Sequence, residues 1–168
     1  MAFPASELKI LPYNRAVHDL NGLNPDELIA RIQEKFIVNA TNSPEPPVCG
    51  SFCMLLNGKW YLLTPKFDLK KLDVISRLDV TVLQDNILGP ILGIDDPRTS
   101  QRIDFIGGIR GTGELERLQA MRKAAVCFSM YPTTLQQLMD IADAGEIMPP
   151  KSTWFEPKLR DGLVCHNF

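Results

Sequence analysis

The sequence predicts an α+β fold, a mixed α/β two-layer sandwich in which a mixed sheet with a β-hairpin is packed by three to four helices. Segments with the periodicity of strands and of helices are interleaved along the chain. The dipeptide Asn57-Gly58 joins two apolar runs, as in a tight hairpin. A length of 168 residues, with 45% hydrophobic and 23% charged residues, suits one core. We therefore expect residues 1–168 to form a single domain.

A strand and a helix are predicted near the start of the chain. Glu7–Leu11 alternates polar and apolar side chains, which is the pattern of a half-buried strand. A helix is predicted to begin after Asn24, because Asn is a favourable N-cap and Pro25 suits the first helical position. Apolar residues at helical spacing continue this helix to about Phe36.

A loop and a hairpin come after the first helix. Asn39–Pro47 is polar and holds three prolines, which predicts a surface loop. Ser51–Leu56 and Lys59–Leu63 are predicted to be the two strands of a hairpin. Because Asn57-Gly58 tolerates positive φ at both positions, we expect a type I′ turn between them.

The middle of the chain is predicted to contain a long helix and then a strand. The apolar segment Leu78–Leu92 is predicted to be a helix capped by Asp79 and loosened where Gly89-Pro90 interrupts it. Arg102–Ile106 is predicted to be a strand that leads into a glycine-rich loop. A helix is expected to begin at about Glu114, directly after this loop.

The last part of the chain is predicted to alternate strand and helix again. Ala124–Met130 has the continuous apolar character of a buried strand. Thr133 or Thr134 is expected to cap a helix over Leu135–Ala144. A final strand is expected at Leu163–His166.

Charge and composition argue against several classes of function. Eighteen Lys and Arg against twenty Asp and Glu leave a net charge of −2, which argues against nucleic acid as a partner. No apolar run is long enough to span a bilayer and no signal peptide is visible, so we expect a cytoplasmic protein without membrane attachment. Neither histidine lies near Cys49 and Cys53, so no metal site of the zinc type is predicted.

The strongest candidate site is the glycine-rich loop. Its candidate residues for binding phosphate are Gly107, Gly108, Arg110, Gly111 and Gly113. Glycines let backbone amides turn toward one point, and the N-terminus of the following helix adds positive potential. The loop is not a P-loop, because Glu114 stands where a lysine would be needed. A tight turn that needs glycine for its φ angles is an equally good interpretation.

The second candidate for binding phosphate or substrate is the run Lys151, Ser152 and Thr153, which comes after two prolines. A lysine beside two hydroxyl groups suits a phosphate or carboxylate oxygen. The alternative is a proline-stiffened loop whose next residues, two aromatics, plug the core while the lysine stays in water.

The third candidate is the polar run Gln84, Asp85 and Asn86 inside the apolar helix. Three polar side chains there must face solvent, a partner or a buried hydrogen-bond network. Together with Asp95-Asp96 they could supply carboxylates for a magnesium ion. They could equally form a polar helix face with an Asp-Pro turn after it.

Arg15 is the fourth candidate, since an arginine can clamp a phosphate or carboxylate through two parallel hydrogen bonds. It could equally pair with Asp19 on the surface. Other catalytic signatures are absent from the sequence, which contains no Gly-x-Ser-x-Gly elbow and no convincing Ser/His/Asp set.

Six motifs occur in a characteristic order along the chain. They are Leu11–Arg15, Asp19–Gly22, Leu83–Leu88, Ile94–Arg98, Ile103–Gly108 and Met148–Thr153. Together they resemble the C-terminal part of the microbial family catalogued as domain of unknown function 1015, over nearly the whole chain. Full-length relatives are more than twice as long. We therefore expect this chain to be a C-terminal fragment that partners the missing N-terminal part of its own protein.

The resemblance implies a function for the longer protein. In family members the upstream part carries an Asp-Gly-His-His-Arg motif similar to that of ParB and sulfiredoxin-like nucleotide-binding proteins. Some enzymes of that wider group phosphorylate free serine. The resemblance thus implies the C-terminal domain of a nucleotide-dependent small-molecule kinase, with ATP and Mg²⁺ as cofactors of the full-length protein. Because the upstream motif is absent, we expect this chain alone to be inactive.

The sequence supports two hypotheses. In the first, the glycine loop and the Lys151 segment converge on one anion, where Lys151 and Arg110 neutralise phosphoryl charge and Ser152 and Thr153 donate hydrogen bonds. In the second, the chain is a non-catalytic structural or dimerisation domain, a homodimer in which Leu78–Leu92 forms the interface. The first hypothesis requires Gly107–Gly113 and Lys151–Thr153 to lie side by side around one concavity, and the second does not.

Overall fold

The computed structural model describes residues 9–156. Its strands are β1 Lys9–Leu11, β2 Tyr13–Val17, β3 Phe36–Thr41, β4 Phe52–Leu56, β5 Lys59–Pro65, β6 Ile103–Gly107, β7 Val126–Met130 and β8 Trp154–Glu156. Its α-helices are α1 Pro25–Lys35, α2 Asp79–Leu83, α3 Gly113–Ala120 and α4 Leu135–Asp143. A π-helical turn, Gln84–Leu88, continues α2 without a break.

Six strands form one antiparallel sheet in the order β3-β5-β4-β7-β2-β6. The strands β1 and β8 pair with each other in a separate two-stranded sheet. Helices pack on the six-stranded sheet, and this arrangement confirms the predicted α+β class. The strand β2 lies inside the sheet, because it pairs with β7 on one side and β6 on the other.

Two apolar cores lie on opposite faces of the six-stranded sheet. On one face, α1, α2 and the π-helical turn pack on the strands, with Leu28, Leu83 and Phe128 fully buried. On the other face, α3 packs through Leu115 and Leu118. The first core is the larger of the two, so the helical layer lies mainly on its side.

Successive residues of β2 face different cores, as strand geometry requires. Val17 belongs to the larger core and Ala16 to the smaller one. By the same alternation Arg15 faces the side of Val17, whereas Asn14 faces the side of Ala16. Both of these polar residues are buried, at 4% and 2% exposure.

The predicted caps of the first and last α-helices and the predicted hairpin turn are confirmed. Asn24 and Thr134 each form a capping box. The side chain of the cap residue accepts a hydrogen bond from the backbone amide three residues later, and the side chain of that later residue accepts one from the cap amide. The turn Asn57-Gly58 has φ of +50° and +73°, as a type I′ turn requires.

Three strand assignments differ from the sequence-based expectations, since β8 Trp154–Glu156 was not predicted either. The strand β2 was missed, because its Asn14 and Arg15 have the polar character of a loop although both are buried. The predicted loop Asn39–Pro47 is extended over its first three residues, which belong to β3 and pair with β5. Pairing across the sheet overrides the low strand propensity of Asn39.

The predicted helix Leu78–Leu92 is shorter than expected and changes its winding at Gln84. Asp79 is not its cap. The N-cap position belongs to Leu78, and the Asp79 carboxylate instead accepts a hydrogen bond from the Gly50 amide at 2.9 Å. This bond ties the loop between β3 and β4 to the start of α2. The apolar side chains of the segment are buried in the larger core, so they offer no exposed interface for a homodimer.

No helix among residues 9–156 is long and apolar enough to cross a membrane. The predicted strand Leu163–His166 lies outside the described residues.

Candidate functional site

A cavity of about 200 Å³ opens between β2, β6 and the π-helical turn, and we call it the Arg15 cavity. It is lined by Arg15, Ile75, Val80, Thr81, Gln84, Leu88, Asp96, Pro97, Arg98, Phe105, Pro149 and Pro150. Most of this lining is apolar, and a few polar groups converge on it. That combination is typical of a small-molecule site.

The Arg15 guanidinium lies at the wall of this cavity and is 4% exposed. Its Nη1 donates to the carbonyl oxygen of Tyr13, and its Nη2 donates to that of Lys151 at 3.1 Å. The Phe105 ring covers one side of the group, with the ring centroid 5.0 Å from Cζ. Burial lowers the pKa of Arg15 from its usual range to about 9, so the group is still charged at neutral pH.

Among the described residues, Arg15 forms no ion pair with a carboxylate. The predicted alternative, a surface pair with Asp19, is not formed, since Arg102 binds that carboxylate. Buried charges in proteins are normally paired, because an isolated one is costly to desolvate. A buried cation with only carbonyl partners, at the edge of a cavity, is suited to an anionic ligand.

Two polar atoms at this cavity lack a partner within residues 9–156. Thr81 Oγ1 and Gln84 Oε1 are both buried and make no hydrogen bond with these residues. The amide of Gln84 is held in place by its other end, because Nε2 donates to the Ile94 carbonyl at 2.7 Å. Since Gln84 begins the π-helical turn, the change of winding sets its direction, and such turns occur frequently at functional sites.

Charged and proline residues form the other walls. Arg98 binds Asp96 through two nitrogens, at 2.9 and 2.8 Å, within the turn that contains Pro97. This pair holds the pKa of Asp96 at about 2. Pro149 and Pro150 form the wall nearest the Lys151 carbonyl that Arg15 binds.

The Lys151 segment supports the Arg15 cavity from outside. Lys151 is exposed, its φ is +56°, and its Nζ lies 5.6 Å from the centroid of the Tyr13 ring. The Ser152 hydroxyl is buried and donates to the Pro149 carbonyl at 2.6 Å. Its role is to close the proline turn. Thr153 is half-buried and does not line the cavity.

The glycine loop borders a different cavity, of about 340 Å³, which we call the glycine-loop cavity. It is lined by Leu11, Pro12, Asn14, Glu45, Pro46, Gly108, Gly111, Thr112, Ser129, Met130, Tyr131 and Pro132. Because Asn14 and Arg15 face opposite sides of β2, the two cavities are separated by that strand. The glycine loop and the Lys151 segment therefore do not enclose one shared concavity.

The remaining loop residues have structural contacts. A Cβ on Gly107 would lie 2.4 Å from the Trp154 ring, so this glycine allows the aromatic residue to pack on β6. Gly111 has a φ of +65°, which only glycine adopts readily. Arg110 is exposed and lies 3.9 Å from Glu114, and Gly113 is exposed at the start of α3.

The polar run of the third candidate is divided between three environments. Gln84 lines the Arg15 cavity, and Asp85 is exposed. Asn86 binds the Val82 carbonyl and accepts from Lys35, both at 2.9 Å, away from the cavity. The described residues contain no cluster of three His, Cys, Asp or Glu that could hold a metal ion. They therefore do not fit a magnesium site built by this chain alone.

Sequence reasoning missed Thr81 and Phe105 of the first cavity and Ser129 of the second. Thr81 and Ser129 interrupt apolar runs with a hydroxyl, and that interruption is the signal that could have found them. Phe105 carries no such signal, because aromatic residues are common in strands.

The fold is similar to that of several solved proteins. A free serine kinase in complex with AMP aligns with a TM-score of 0.52 at 13% identity, over 92% of this chain and 56% of that one. A mutant free serine kinase in complex with AMP gives 0.52 at 15% identity, over 92% and 56%. A conserved hypothetical protein from Pyrococcus furiosus gives 0.51 at 12%, over 92% and 59%. At these identities the likeness shows the fold alone, and the chain spans a little over half the length of these proteins.

Residues 1–81 match the family model described as "Protein of unknown function (DUF1015)". This match confirms, over the matched residues, the family resemblance predicted from the sequence motifs. No curated protein matches the chain.

Proposed function

We propose that this chain is the C-terminal domain of a nucleotide-dependent small-molecule kinase, and that its Arg15 cavity binds the substrate. The substrate class is a small molecule with a carboxylate and a hydroxyl group, such as free serine or a relative of it. Two lines of support meet here. The fold is similar to that of a free serine kinase, and the cavity offers the groups that such a substrate needs.

The observation that carries the proposal is the buried Arg15 guanidinium without a carboxylate partner among the described residues. A planar guanidinium binds a carboxylate through two parallel hydrogen bonds, and such charge-assisted bonds are about twice as strong as neutral ones. Burial strengthens the interaction further, because little water competes for the charge. A substrate carboxylate would supply the counter-charge.

The other polar groups suit the rest of such a substrate. Gln84 Oε1 can only accept hydrogen bonds, so it would take an ammonium or hydroxyl donor. Thr81 Oγ1 can accept or donate, and it would orient a second polar group. Phe105 and the two prolines would exclude water on the remaining sides.

Phosphoryl transfer from a nucleotide to a hydroxyl group depends mostly on positioning and on stabilising charge. In this proposal the chain positions the acceptor substrate, while the nucleotide and any Mg²⁺ are held by the part of the longer protein outside this chain. The terminal phosphoryl group of the nucleotide would pass to the substrate hydroxyl, whose proton is released, and the nucleotide shortened by one phosphate would leave.

The test uses the longer protein with ATP or ADP and a panel of free amino acids, with phosphorylated products detected by mass spectrometry. We expect phosphoserine or a closely related product. Replacing Arg15 by Lys should raise the KM for the amino acid at least tenfold, because the bidentate contact is lost. The exposed Arg31→Lys on α1 is the matched control and should leave the KM unchanged.

Absence of any phosphorylated product across the panel would remove the kinase proposal. An unchanged KM in Arg15→Lys, with phosphoserine still formed, would retain the activity and move the substrate site elsewhere.

A further inference from the structure

The glycine-loop cavity contains buried polar groups that the fold itself does not use. It lies on the side of β2 away from the Arg15 cavity and is bounded by the start of β2, the end of β7 and the loop before α3. Its volume, about 340 Å³, is large enough for a small ligand.

The side-chain amide of Asn14 uses its oxygen, Oδ1, in a hydrogen bond within the fold but not its nitrogen, Nδ2. Its Oδ1 accepts a hydrogen bond from the Met130 amide at 3.0 Å, beyond the point where backbone pairing of β2 with β7 ends at Arg15 and Phe128. This bond fixes the orientation of the side chain. Its Nδ2 therefore points away from Met130 and has no partner among the described residues, although Asn14 is 2% exposed.

Ser129 provides a second unused donor on the same wall. The residue is 1% exposed, lines the cavity, and its hydroxyl makes no hydrogen bond with the described residues. Asn14 Nδ2 and Ser129 Oγ are not among the fully covered unpartnered atoms of the described residues, so both donors are open to the cavity. Because they lie on neighbouring strands and face one cavity, one ligand with acceptor oxygens can satisfy both.

Backbone donors lie on the facing side. Gly111 and Thr112 line the cavity, and α3 begins directly after them. The Gly111 amide donates to the Gly108 carbonyl, and the Thr112 carbonyl accepts from Leu115 and Glu116. The Thr112 side chain makes no capping bond, so Thr112 does not satisfy the amides of Gly113 and Glu114. The positive φ of Gly111 turns the chain at this point, and a following helix N-terminus favours negative charge.

Acidic side chains near the cavity are partly neutralised. Glu114 binds Arg117 at 2.7 Å and lies 3.9 Å from Arg110. Glu45 lines the cavity without an ion pair among the described residues, and it is exposed to solvent, which weakens its repulsion of an anion.

We propose that the glycine-loop cavity is a second ligand site that binds a phosphoryl oxyanion, with Asn14 Nδ2, Ser129 Oγ and the backbone amide of Thr112 as its donors. The phosphoryl group can be free phosphate or the phosphate of a nucleotide. Because β2 separates it from the Arg15 cavity, a phosphoryl group bound here is not placed for transfer to a substrate bound there. The proposal stands independently of the kinase activity.

The test is a titration of the isotope-labelled chain, monitored by NMR of its backbone amides. The probes are inorganic phosphate, AMP and adenosine. We expect phosphate and AMP, but not adenosine, to shift the amides of Gly108, Gly111 and Thr112. Tighter binding of AMP than of phosphate would identify a nucleotide as the source of the phosphoryl group, and equal binding would identify free phosphate.

Three variants test the donors. Ser129→Ala should weaken phosphate binding about tenfold, because it removes one charge-assisted hydrogen bond and no bond within the fold. Asn14→Asp keeps an acceptor for the Met130 amide but replaces the free donor by an acceptor, and it should abolish binding. Glu45→Gln should tighten binding, since it removes the nearest like charge.

Thr81→Val is the matched control, since it deletes an unpartnered hydroxyl from the other cavity and should leave the shifts of the glycine-loop amides unchanged. Three results would overturn the proposal: no shift of these amides in millimolar phosphate, shifts confined to the surroundings of Arg15, or equal phosphate affinity in wild type and Ser129→Ala.

Discussion

Adjacent residues of one strand face two separate cavities in this protein. Arg15 contributes a buried cation to one, and Asn14 contributes an unused donor to the other. Both positions are more than nine-tenths buried. Polar side chains in the centre of a sheet cost free energy unless they are satisfied, and the fold satisfies Arg15 and Asn14 through carbonyl and amide groups while leaving part of each side chain for a ligand.

A third buried polar residue, Asp79, predicts a pH dependence of stability. Burial raises the pKa of its carboxyl from 3.8 to about 6, and hydrogen bonds from Gly50 and Cys49 oppose this only in part. The folded state therefore binds this proton more tightly than the unfolded state does. The stabilisation is complete below pH 3.8 and is lost as the pH rises through about 6.

Asp79→Asn keeps an acceptor for the Gly50 amide but cannot ionise. The free energy of unfolding of the variant, relative to wild type, should rise between about pH 4 and pH 7 by up to about 3 kcal/mol. Urea unfolding at both pH values measures the difference directly. Equal pH dependence in the two proteins would show that the Asp79 carboxyl titrates normally.

Two glycines of the same loop should respond in opposite ways to alanine. In Gly107→Ala the new Cβ would lie 2.4 Å from the Trp154 ring, and relieving this overlap should cost about 1–3 kcal/mol of stability. In Gly113→Ala nothing lies within 4 Å and the residue starts α3, so stability should stay equal or rise by less than about 1 kcal/mol. Denaturant unfolding of both variants tests the pair, and a stable Gly107→Ala would contradict the packing of Trp154 on β6.

At the scale of elements, the sequence predicted best where a local signal sets the conformation. The N-cap of α1, the Thr134 cap of α4 and the hairpin turn each depend on two to four neighbouring residues. Prediction of an element failed where contacts with residues far along the chain determine its conformation. The strand β2 is polar in sequence and is held by β6 and β7, and Asp79 bonds to Gly50 instead of capping its own helix.

The capping box of α1 gives a test at this scale. Asn24→Ala removes the acceptor for the Glu27 amide, which it binds at 2.9 Å, and should cost about 1 kcal/mol. Asn39→Ala, on the exposed surface of β3, is the control and should change stability by less than about 0.5 kcal/mol. The midpoint of urea unfolding compares the two, and equal effects would mean that the cap contributes nothing specific.

At the scale of the whole molecule, the candidate site was only partly predictable. Arg15, Gln84 and the prolines before Lys151 lie far apart in sequence and meet at one cavity. Arg15 and Gln84 could be singled out from the sequence, because an arginine and an amide in apolar segments need hydrogen-bond partners. That they line the same cavity could not be predicted, since this depends on which face of β2 each side chain occupies and on the π-helical turn that continues α2. For the same reason the glycine loop was expected beside Lys151, although it borders a different cavity.

The proposed function depends most directly on the binding of a small substrate's carboxylate by Arg15. Calorimetric titration of this chain with L-serine, and with 2-amino-1,3-propanediol, in which a hydroxymethyl group replaces the carboxylate, tests it most directly. We expect the diol to bind at least tenfold more weakly than serine, and Thr81→Val to weaken serine binding while the protein stays folded. Equal affinity for the two compounds, or serine affinity unchanged in both Arg15→Lys and Thr81→Val, would contradict the account.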